Sequence, residues 1–227
     1  MTMIADKLHL VRLRIDAACR AARRDPRDVH LLVVSKTFGV PMLREAVDAG
    51  QRVFGENYVQ EAVAKIQALR DLPLQWHCIG PIQGNKTRLV AESFDWVQSV
   101  DRARIAERLN EQRPGHLPVL QVCIQVNIDA GPSKSGIAPD AAADLARVIA
   151  ALPRLQLRGL MSIPEPAADF ATGLAAHLRA KALFDQLRVV HPGIDTLSIG
   201  MSADLEAAIH AGSSMVRVGT AIFGGRT

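Results

Sequence analysis

The chain has 227 residues, of which 48% are hydrophobic and 22% charged, a size and balance typical of one globular α/β domain rather than of a disordered or fibrous chain. No apolar run reaches the roughly 18 residues of a membrane span, and the N-terminus lacks the apolar segment of a secretion signal, so we expect a cytoplasmic protein without membrane contact. The formal charge of +4 is scattered, and one Tyr with two Trp offers few surfaces for stacking bases, so we expect small anionic ligands rather than nucleic acid.

The three cysteines, Cys19, Cys78 and Cys123, lie far apart in the chain. Their number is odd, no C-x-x-C pair is present, and Cys78 and Cys123 sit in apolar segments. This pattern predicts reduced, buried thiols and no zinc site, which fits a cytoplasmic protein.

Short segments rich in β-branched residues alternate with longer segments rich in Ala, Leu and Arg. An amphipathic helix is predicted over 4–24, because Leu8, Val11 and Ile15 recur at helical spacing and Pro26 follows. Eight strands are predicted next, at 30–35, 52–55, 75–79, 96–100, 119–128, 155–163, 196–199 and 215–218. The clearest helices between them span 101–112, 139–152 and 169–190.

Eight strand-helix units in about 200 residues predict an α/β fold, a single parallel (β/α)8 TIM barrel over 1–227 with an extra N-terminal helix. The alternative is an open doubly wound sheet, which usually carries a Gly-rich dinucleotide fingerprint after its first strand. Here the first strand is followed by SKTFG at 35–39, which does not fit that fingerprint.

Polar and small residues cluster at the carboxyl ends of the predicted strands. In a parallel barrel these ends meet at one mouth, where active sites lie. The residues concerned are Lys36, Glu56, Asn57, His77, Ser99, Asn127, Ser162, Met201, Ser202, Arg217, Gly219 and Thr220.

Lys36 directly follows the apolar strand segment LLVVS at 31–35. Its stem therefore leaves a buried strand, and desolvation disfavours the charged ammonium. A neutral amine attacks an aldehyde to form a Schiff base, so Lys36 is a candidate anchor for an aldehyde. The segment alone favours a lysine that reaches into solvent.

Two segments near the C-terminus predict a phosphate site. In GMSADLEAAI at 200–209 a strand turns into a helix, with Ser202 as the expected N-cap and free N–H groups at the helix start. In VRVGTAIFG at 216–224 a strand breaks at Gly219 and Thr220, where glycine lets a phosphate approach and Thr220 adds a hydroxyl. Loops after strands seven and eight are the usual phosphate site of such barrels.

Arg217 lies on the last predicted strand and is expected to point into the mouth. A permanent cation beside a pyridine nitrogen keeps that nitrogen unprotonated and weakens the ring as an electron sink. The alternative for Arg217 is a structural ion pair across the barrel. An aldehyde anchor, a phosphate site and this arginine together fit pyridoxal 5′-phosphate (PLP) as a ligand, and they also permit a Schiff-base aldolase without PLP.

Two other motifs are set aside. GPIQGNKT at 80–87 resembles a phosphate loop, but three residues rather than four separate its glycines and Asn85 interrupts the GK[ST] element, so nucleotide hydrolysis is rejected. SKSG at 133–136 resembles a Ser–Lys nucleophile pair, but no partner base is evident, so we interpret it as a mouth loop whose lysine could contact a ligand's anion.

Several segments resemble the PLP homeostasis protein family. They are VSKT at 34–37, FGENYVQE at 54–61, WHCIGPIQGNK at 76–86, SKSG at 133–136, LRGLM at 157–161 and the run from Ser198 to Gly224. The resemblance covers nearly the whole chain in the same order. It implies a fold like the N-terminal barrel of alanine racemase, with Lys36 as the Schiff-base lysine.

The same resemblance assigns the other cofactor-binding residues. It implies that Ser202, Gly219 and Thr220 hold the phosphate and that Arg217 faces the pyridine nitrogen. Three further residues are implied to line the cofactor, namely Asn57, His77 and Met201.

The family resemblance implies a role in intracellular PLP and amino- or keto-acid balance without defined turnover, with PLP-dependent apo-enzymes as possible partners. The chain ends soon after the eighth strand, and its one tyrosine, Tyr58, starts a helix, so a second base for racemisation is missing. A barrel without the second domain of the racemases lacks one of their dimer surfaces, so we expect a monomer. A weak PLP-dependent racemase or lyase, and a Schiff-base aldolase without PLP, remain the alternatives.

Three positions depart from the family pattern. Phe38 stands where a second lysine often follows the first, the end GRT at 225–227 lacks a lysine-rich tail, and Gly84 replaces a common serine. These departures leave open whether the protein has a secondary vitamer site of the kind that depends on such lysines.

Overall fold

The structure is a computed structural model that describes residues 2–129, 131 and 135–225. Eight strands follow one another around a closed barrel. The strands are β1 (His30–Val34), β2 (Val53–Glu56), β3 (Gln75–Cys78), β4 (Trp96–Val100), β5 (Leu120–Val126), β6 (Leu155–Ser162), β7 (Thr196–Met201) and β8 (Met215–Val218). The helices are α1 (Met3–Ala21), α2 (Val40–Asp48), α3 (Val59–Ala68), α4 (Thr87–Ser93), α5 (Ala103–Gln112), α6 (Ala142–Ala150), α7 (Phe170–Val190), α8 (Leu205–Ala211) and α9 (Thr220–Phe223).

All neighbouring strands pair in parallel, and β1 closes the barrel against β8 with His30 opposite Met215 and Leu32 opposite Arg217. The predicted TIM barrel is thereby confirmed. We call the end formed by the carboxyl ends of the strands the mouth and the opposite end the floor.

The extra N-terminal helix is also confirmed. The side chain of Thr2 caps α1 by accepting from the N–H of Ala5, and the buried face of α1 carries Leu8, Val11 and Ile15 at helical spacing. Because this face packs against α2, α8 and α9, α1 covers the seam where the last strand meets the first.

Most of the buried apolar side chains lie between the barrel and its helices. A smaller, separate cluster of Trp96, Cys123 and Met161 comes from three adjacent strands and fills part of the barrel interior. Cys19, Cys78 and Cys123 are free and buried, as predicted.

The predicted strand ends agree with the structure to within two residues. The largest difference that affects the site lies at β7, which continues to Met201 instead of ending at 199. Consequently the next helix begins at Leu205, two residues later than predicted. Within the described residues, no helix has both the length and the apolar character needed to cross a membrane.

Candidate functional site

A cavity of about 390 Å³ opens at the mouth of the barrel. Seven of the eight cofactor-binding residues predicted from the sequence line it, namely Lys36, Asn57, Met201, Ser202, Arg217, Gly219 and Thr220. Apolar side chains, among them Val34, Phe38, Ile79 and Ile163, complete its wall. Segments far apart in the chain therefore converge as the barrel topology predicts.

Lys36 is half-buried in the turn after β1 and lines this cavity. Its neighbour Thr37 has a φ of 69°, a left-handed conformation that is rare for a β-branched residue. Within the described part of the chain, no side chain or backbone group pairs with the Lys36 ammonium. The amine is thus available to a ligand.

Arg217 is almost completely buried on β8. Its guanidinium donates to the carbonyl oxygen and the hydroxyl of Ser198, at 2.6 and 2.7 Å, and to the carbonyl oxygen of Ser162 at 2.9 Å. Burial lowers the pKa of Arg217 to about 10, so the side chain stays cationic at neutral pH. The described residues offer it no carboxylate partner within bonding distance, unlike the ion pair considered from the sequence.

A chain of polar side chains runs from Arg217 down through the barrel interior. The Ser198 hydroxyl donates to Gln98 Oε1 at 2.6 Å, and Gln98 Nε2 lies 2.9 Å from His77 Nδ1. At its lower end His77 Nε2 lies 3.0 Å from Gln75 Oε1. These contacts connect the mouth to the floor.

His77 does not line the mouth cavity, so its prediction as a cofactor-lining residue is corrected. It is fully buried, stacks on Trp96 with 4.9 Å between ring centroids, and belongs to a lower layer of the barrel interior. Burial lowers the pKa of His77 to about 3, which keeps the imidazole neutral. Ile79, two residues farther along the chain, lines the cavity instead.

The turn between β7 and α8 differs from its prediction. Asp204, not Ser202, occupies the N-cap position of α8, and Asp204 Oδ1 accepts from the N–H of Met201 at 2.6 Å. The N–H groups of Ser202 and Ala203 make no hydrogen bond within the described residues. The turn therefore presents two unused donors beside the cavity.

Asp204 is held from behind by His177 of α7, whose Nε2 lies 2.9 Å from Asp204 Oδ2. Burial alone would raise the pKa of Asp204, but the hydrogen bonds from His177 and from the N–H of Met201 lower it below its usual value. An ionised Asp204 thus keeps the β7–α8 turn in place at neutral pH.

The end of β8 provides a second set of donors. Gly219 precedes α9, and the first N–H groups of this short helix, from Thr220 and Ala221, have no acceptor within the helix. A Cβ at position 219 would lie 2.9 Å from the carbonyl oxygen of Val34. Glycine is therefore required here by the close approach of β8 to β1.

Asn57 follows β2 and also lines the cavity. Its Oδ1 atom is buried and has no hydrogen-bond partner. Gly80 allows the end of β3 to lie against Asn57, because a Cβ at that position would be only 2.2 Å from the Asn57 carbonyl oxygen. A buried acceptor without a partner beside a cavity indicates a ligand that donates to it.

The sequence analysis did not single out Glu61 and Lys65, and it mentioned Glu56 only by position. The three side chains form a mostly buried cluster behind Lys36. The spacing of Glu61 and Lys65, four residues apart on α3, is the signal that could have indicated this pair. Ser133 and Lys134 of the predicted mouth loop lie outside the described residues.

Comparisons with known proteins agree with this geometry. Residues 11–227 match the family model of the alanine racemase N-terminal domain. A pyridoxal phosphate homeostasis protein of Pseudomonas aeruginosa is 55% identical over 226 residues, which cover 100% of this chain and 97% of the relative.

Two solved structures are similar over almost their whole length. PipY of Synechococcus elongatus, solved with PLP bound, is 37% identical with a TM-score of 0.83, covering 97% of this chain and 100% of PipY. A protein of Bifidobacterium adolescentis described as unknown is 33% identical with a TM-score of 0.91, covering 97% and 94% of the two chains. The chain therefore belongs to the pyridoxal phosphate homeostasis protein family, which is built on the alanine racemase N-terminal barrel.

Proposed function

We propose that the protein binds PLP in the mouth cavity as a Schiff base on Lys36 and serves intracellular vitamin B6 homeostasis. One observation carries this proposal. The half-buried Lys36 amine, without a partner among the described residues, shares one cavity with the buried cation Arg217 and with the unused donors of the β7–α8 turn. An aldehyde, a pyridine ring and a phosphate on one small molecule match these three features.

The remaining donors and acceptors fit the same ligand. The phosphate would accept from the N–H groups of Ser202 and Ala203, from those that start α9, and from the hydroxyls of Ser202 and Thr220. The unpartnered Oδ1 of Asn57 would accept from a hydroxyl on the ring. Val34, Ile79 and Met201 would contact its faces and edges.

When bound, PLP supplies an aldehyde that condenses with amines and a ring that can accept electrons. Lys36 would contribute the nucleophile: its amine would add to the aldehyde carbon of bound PLP, with the aldehyde oxygen lost as water as the C=N bond forms. The guanidinium of Arg217 can only donate a hydrogen bond, so a ring nitrogen facing it would accept that bond and stay unprotonated. Asp204 holds the β7–α8 turn that would bind the phosphate.

A role as carrier and regulator is favoured over catalysis by the charges in the cavity. Among the described residues that line it, only Lys36 and Arg217 carry titratable side chains. Racemisation by two bases requires a second proton acceptor on the other face of the substrate. The name of the Pseudomonas aeruginosa relative, a pyridoxal phosphate homeostasis protein, supports the same reading.

PLP-dependent apo-enzymes are the proposed recipients of the cofactor, and the cytoplasm is the proposed compartment, in keeping with three free, buried thiols. A weak racemase or lyase activity is the second candidate, because the matched domain is named for alanine racemase and Lys36 could act as a single base.

The visible absorbance spectrum of the purified protein tests the proposal. We expect the band of a protein-bound Schiff base after incubation with PLP and its complete loss in Lys36→Ala. Lys181→Ala is the matched control, since Lys181 lies outside the mouth cavity and pairs with Asp185 at 2.5 Å. A wild-type protein that gains no band with PLP would refute the proposal.

Deuterium exchange at the α-carbon of amino acids separates the carrier from the enzyme. We expect exchange far slower than the roughly 1 s⁻¹ of an ordinary enzyme for every amino acid tested. Exchange at or above that rate would establish the racemase or lyase instead.

A further inference from the structure

The turn that carries Lys36 is held from behind by a charged side chain of α3. Lys65, on α3, is only 5% exposed, and its ammonium donates to the carbonyl oxygen of Ser35 at 2.7 Å. The same ammonium donates to Glu56 Oε1 at 2.7 Å and to Glu61 Oε1 at 2.5 Å. Its three donors are thus all used, and one of them fixes the residue before Lys36.

The residue after Lys36 is held by the same cluster. Glu61 Oε1 accepts from the N–H of Thr37 at 2.7 Å, and the Ser35 hydroxyl donates to Glu56 Oε1 at 2.6 Å. The backbone on both sides of Lys36 is therefore bound to one connected group of charges. We call Glu56, Glu61 and Lys65 the turn cluster.

Fold stability alone is a weak explanation for the turn cluster. Removing two charges from water carries a desolvation penalty, and apolar side chains of similar volume often replace a buried ion pair without loss of stability. Burial raises the pKa of Glu56 in spite of the hydrogen bonds from Lys65 and Ser35. The left-handed conformation of Thr37 adds backbone strain.

The cluster instead accounts for the left-handed conformation of Thr37 at the mouth. A β-branched residue adopts a positive φ only where its surroundings fix it, and Glu61 supplies the acceptor for the N–H of Thr37. Because Ser35 and Thr37 are both tied down, the Cα–Cβ bond of Lys36 has one direction, toward the cavity that Lys36 lines.

We propose that Glu61 and Lys65 are positioning residues that orient the Lys36 amine for attack on the aldehyde of the cofactor. This inference rests on the proposed function of Lys36. It concerns the geometry of attack and not the phosphate site, which lies on the turns after β7 and β8. A misplacement of about 1 Å at a reacting atom can slow a reaction by about a hundredfold.

The test compares Glu61→Ala with Glu61→Gln. Glu61 has a side chain that is one-third exposed, so alanine is tolerated, and Lys65 keeps its partner Glu56. Alanine removes the acceptor for the N–H of Thr37, whereas glutamine retains an Oε1 atom that can accept from both donors. Glu92→Gln on α4 is a control for an exposed i,i+4 pair with Arg88.

Stopped-flow absorbance would follow Schiff-base formation after mixing with PLP. We expect Glu61→Ala to react 10- to 100-fold more slowly, Glu61→Gln to stay within threefold of wild type, and Glu92→Gln to be unchanged. Affinity for pyridoxamine 5′-phosphate, which has no aldehyde, is expected to stay within twofold in all three variants. Lys65→Met should slow the reaction at least as much as Glu61→Ala, with urea unfolding measured alongside.

Two results would overturn the inference and can be told apart. If wild type forms the band and Glu61→Ala forms it equally fast, or if Glu61→Gln is as slow as Glu61→Ala, the cluster is structural and the proposed function stands. If wild type forms no band at all, the proposed function fails, and the positioning role fails with it.

Discussion

The two ends of the barrel carry cavities of similar kind that differ in how their cations are paired. The floor cavity is the larger, about 560 Å³ against about 390 Å³ at the mouth. Its basic side chains are Arg24, Arg27, Arg158, Lys181 and Arg188. Three of these five form ion pairs with nearby aspartates at 2.5–2.6 Å.

The other two floor cations also have protein partners, since Arg24 donates to the carbonyl oxygen of Ile209 and Arg188 lies over the ring of Phe184. At the mouth, Lys36 has no partner among the described residues and Arg217 binds only neutral oxygens. Cavity size alone would therefore point to the floor as the ligand site. Cations without charged partners point instead to the mouth, the end at which parallel barrels bind their ligands.

Replacing one arginine at each end gives the largest expected contrast. Arg217→Met removes the donor from three buried oxygen contacts, and at about 1 kcal/mol each we expect a loss of about 3 kcal/mol in the free energy of unfolding. Arg158→Met breaks a partly exposed pair with Asp195, a hydrogen bond to Gln121 Oε1 and a contact over the Trp96 ring, and should cost less, about 1 kcal/mol. Urea unfolding of both variants measures the difference, and equal losses would contradict it.

His77 lies between the two ends of the barrel, and its replacement tests whether it contributes to the cofactor site at the mouth. Its pKa is about 3 in the folded protein, compared with about 6.5 unfolded. Below pH 6.5 His77 becomes protonated in the unfolded chain but stays neutral in the folded protein, so stability falls as the pH decreases toward 3. Because of His77, we expect the free energy of unfolding to be about 2 kcal/mol lower at pH 5 than at neutral pH.

The variant His77→Phe should lose that part of the pH dependence, which urea unfolding at pH 7 and pH 5 would show. Exposed His116, changed to Asn, is the control and should leave the slope unchanged. PLP affinity of His77→Phe at neutral pH should stay within threefold of wild type, because His77 does not line the mouth. A tenfold loss of PLP affinity would show that His77 contributes to cofactor binding after all.

The smallest expected effect concerns a hydroxyl at the mouth. Thr220→Val removes one donor to the phosphate and should weaken PLP binding three- to tenfold, which corresponds to about 1 kcal/mol. Affinity for pyridoxal, which has no phosphate, should not change. Ser214→Ala at the floor is the counterpart and should leave both affinities unaltered. Equal weakening of PLP and pyridoxal in Thr220→Val would place the phosphate elsewhere.

The strands and the membership of the mouth could largely be predicted from the sequence. Apolar β-branched segments mark the strands, and parallel topology alone brings their carboxyl ends together. Lys36 and Arg217 therefore meet although 180 residues separate them along the chain, a distance that only the closed barrel bridges.

Depth within the barrel could not be predicted. Alternation along a strand shows that His77 points inward, but it does not show the layer, which depends on strand tilt and register. The start of α8 was missed for a local reason, since Ser202 and Asp204 are both good N-cap residues and only the length of β7 decides between them. The turn cluster was missed because Glu61 and Lys65, taken alone, predict an ordinary exposed pair.

The interior chain from Arg217 to Gln75 has a consequence for its protons. A guanidinium can only donate, so the Ser198 hydroxyl accepts from Arg217 and donates its own hydrogen bond to Gln98 Oε1. The amide nitrogen of Gln98 therefore faces His77 Nδ1. Each group has one orientation, and His77 is left with its single proton on Nε2, directed at Gln75. The permanent charge at the mouth thus selects the tautomer of an imidazole three side chains below it, which nitrogen-15 chemical shifts of His77 would report.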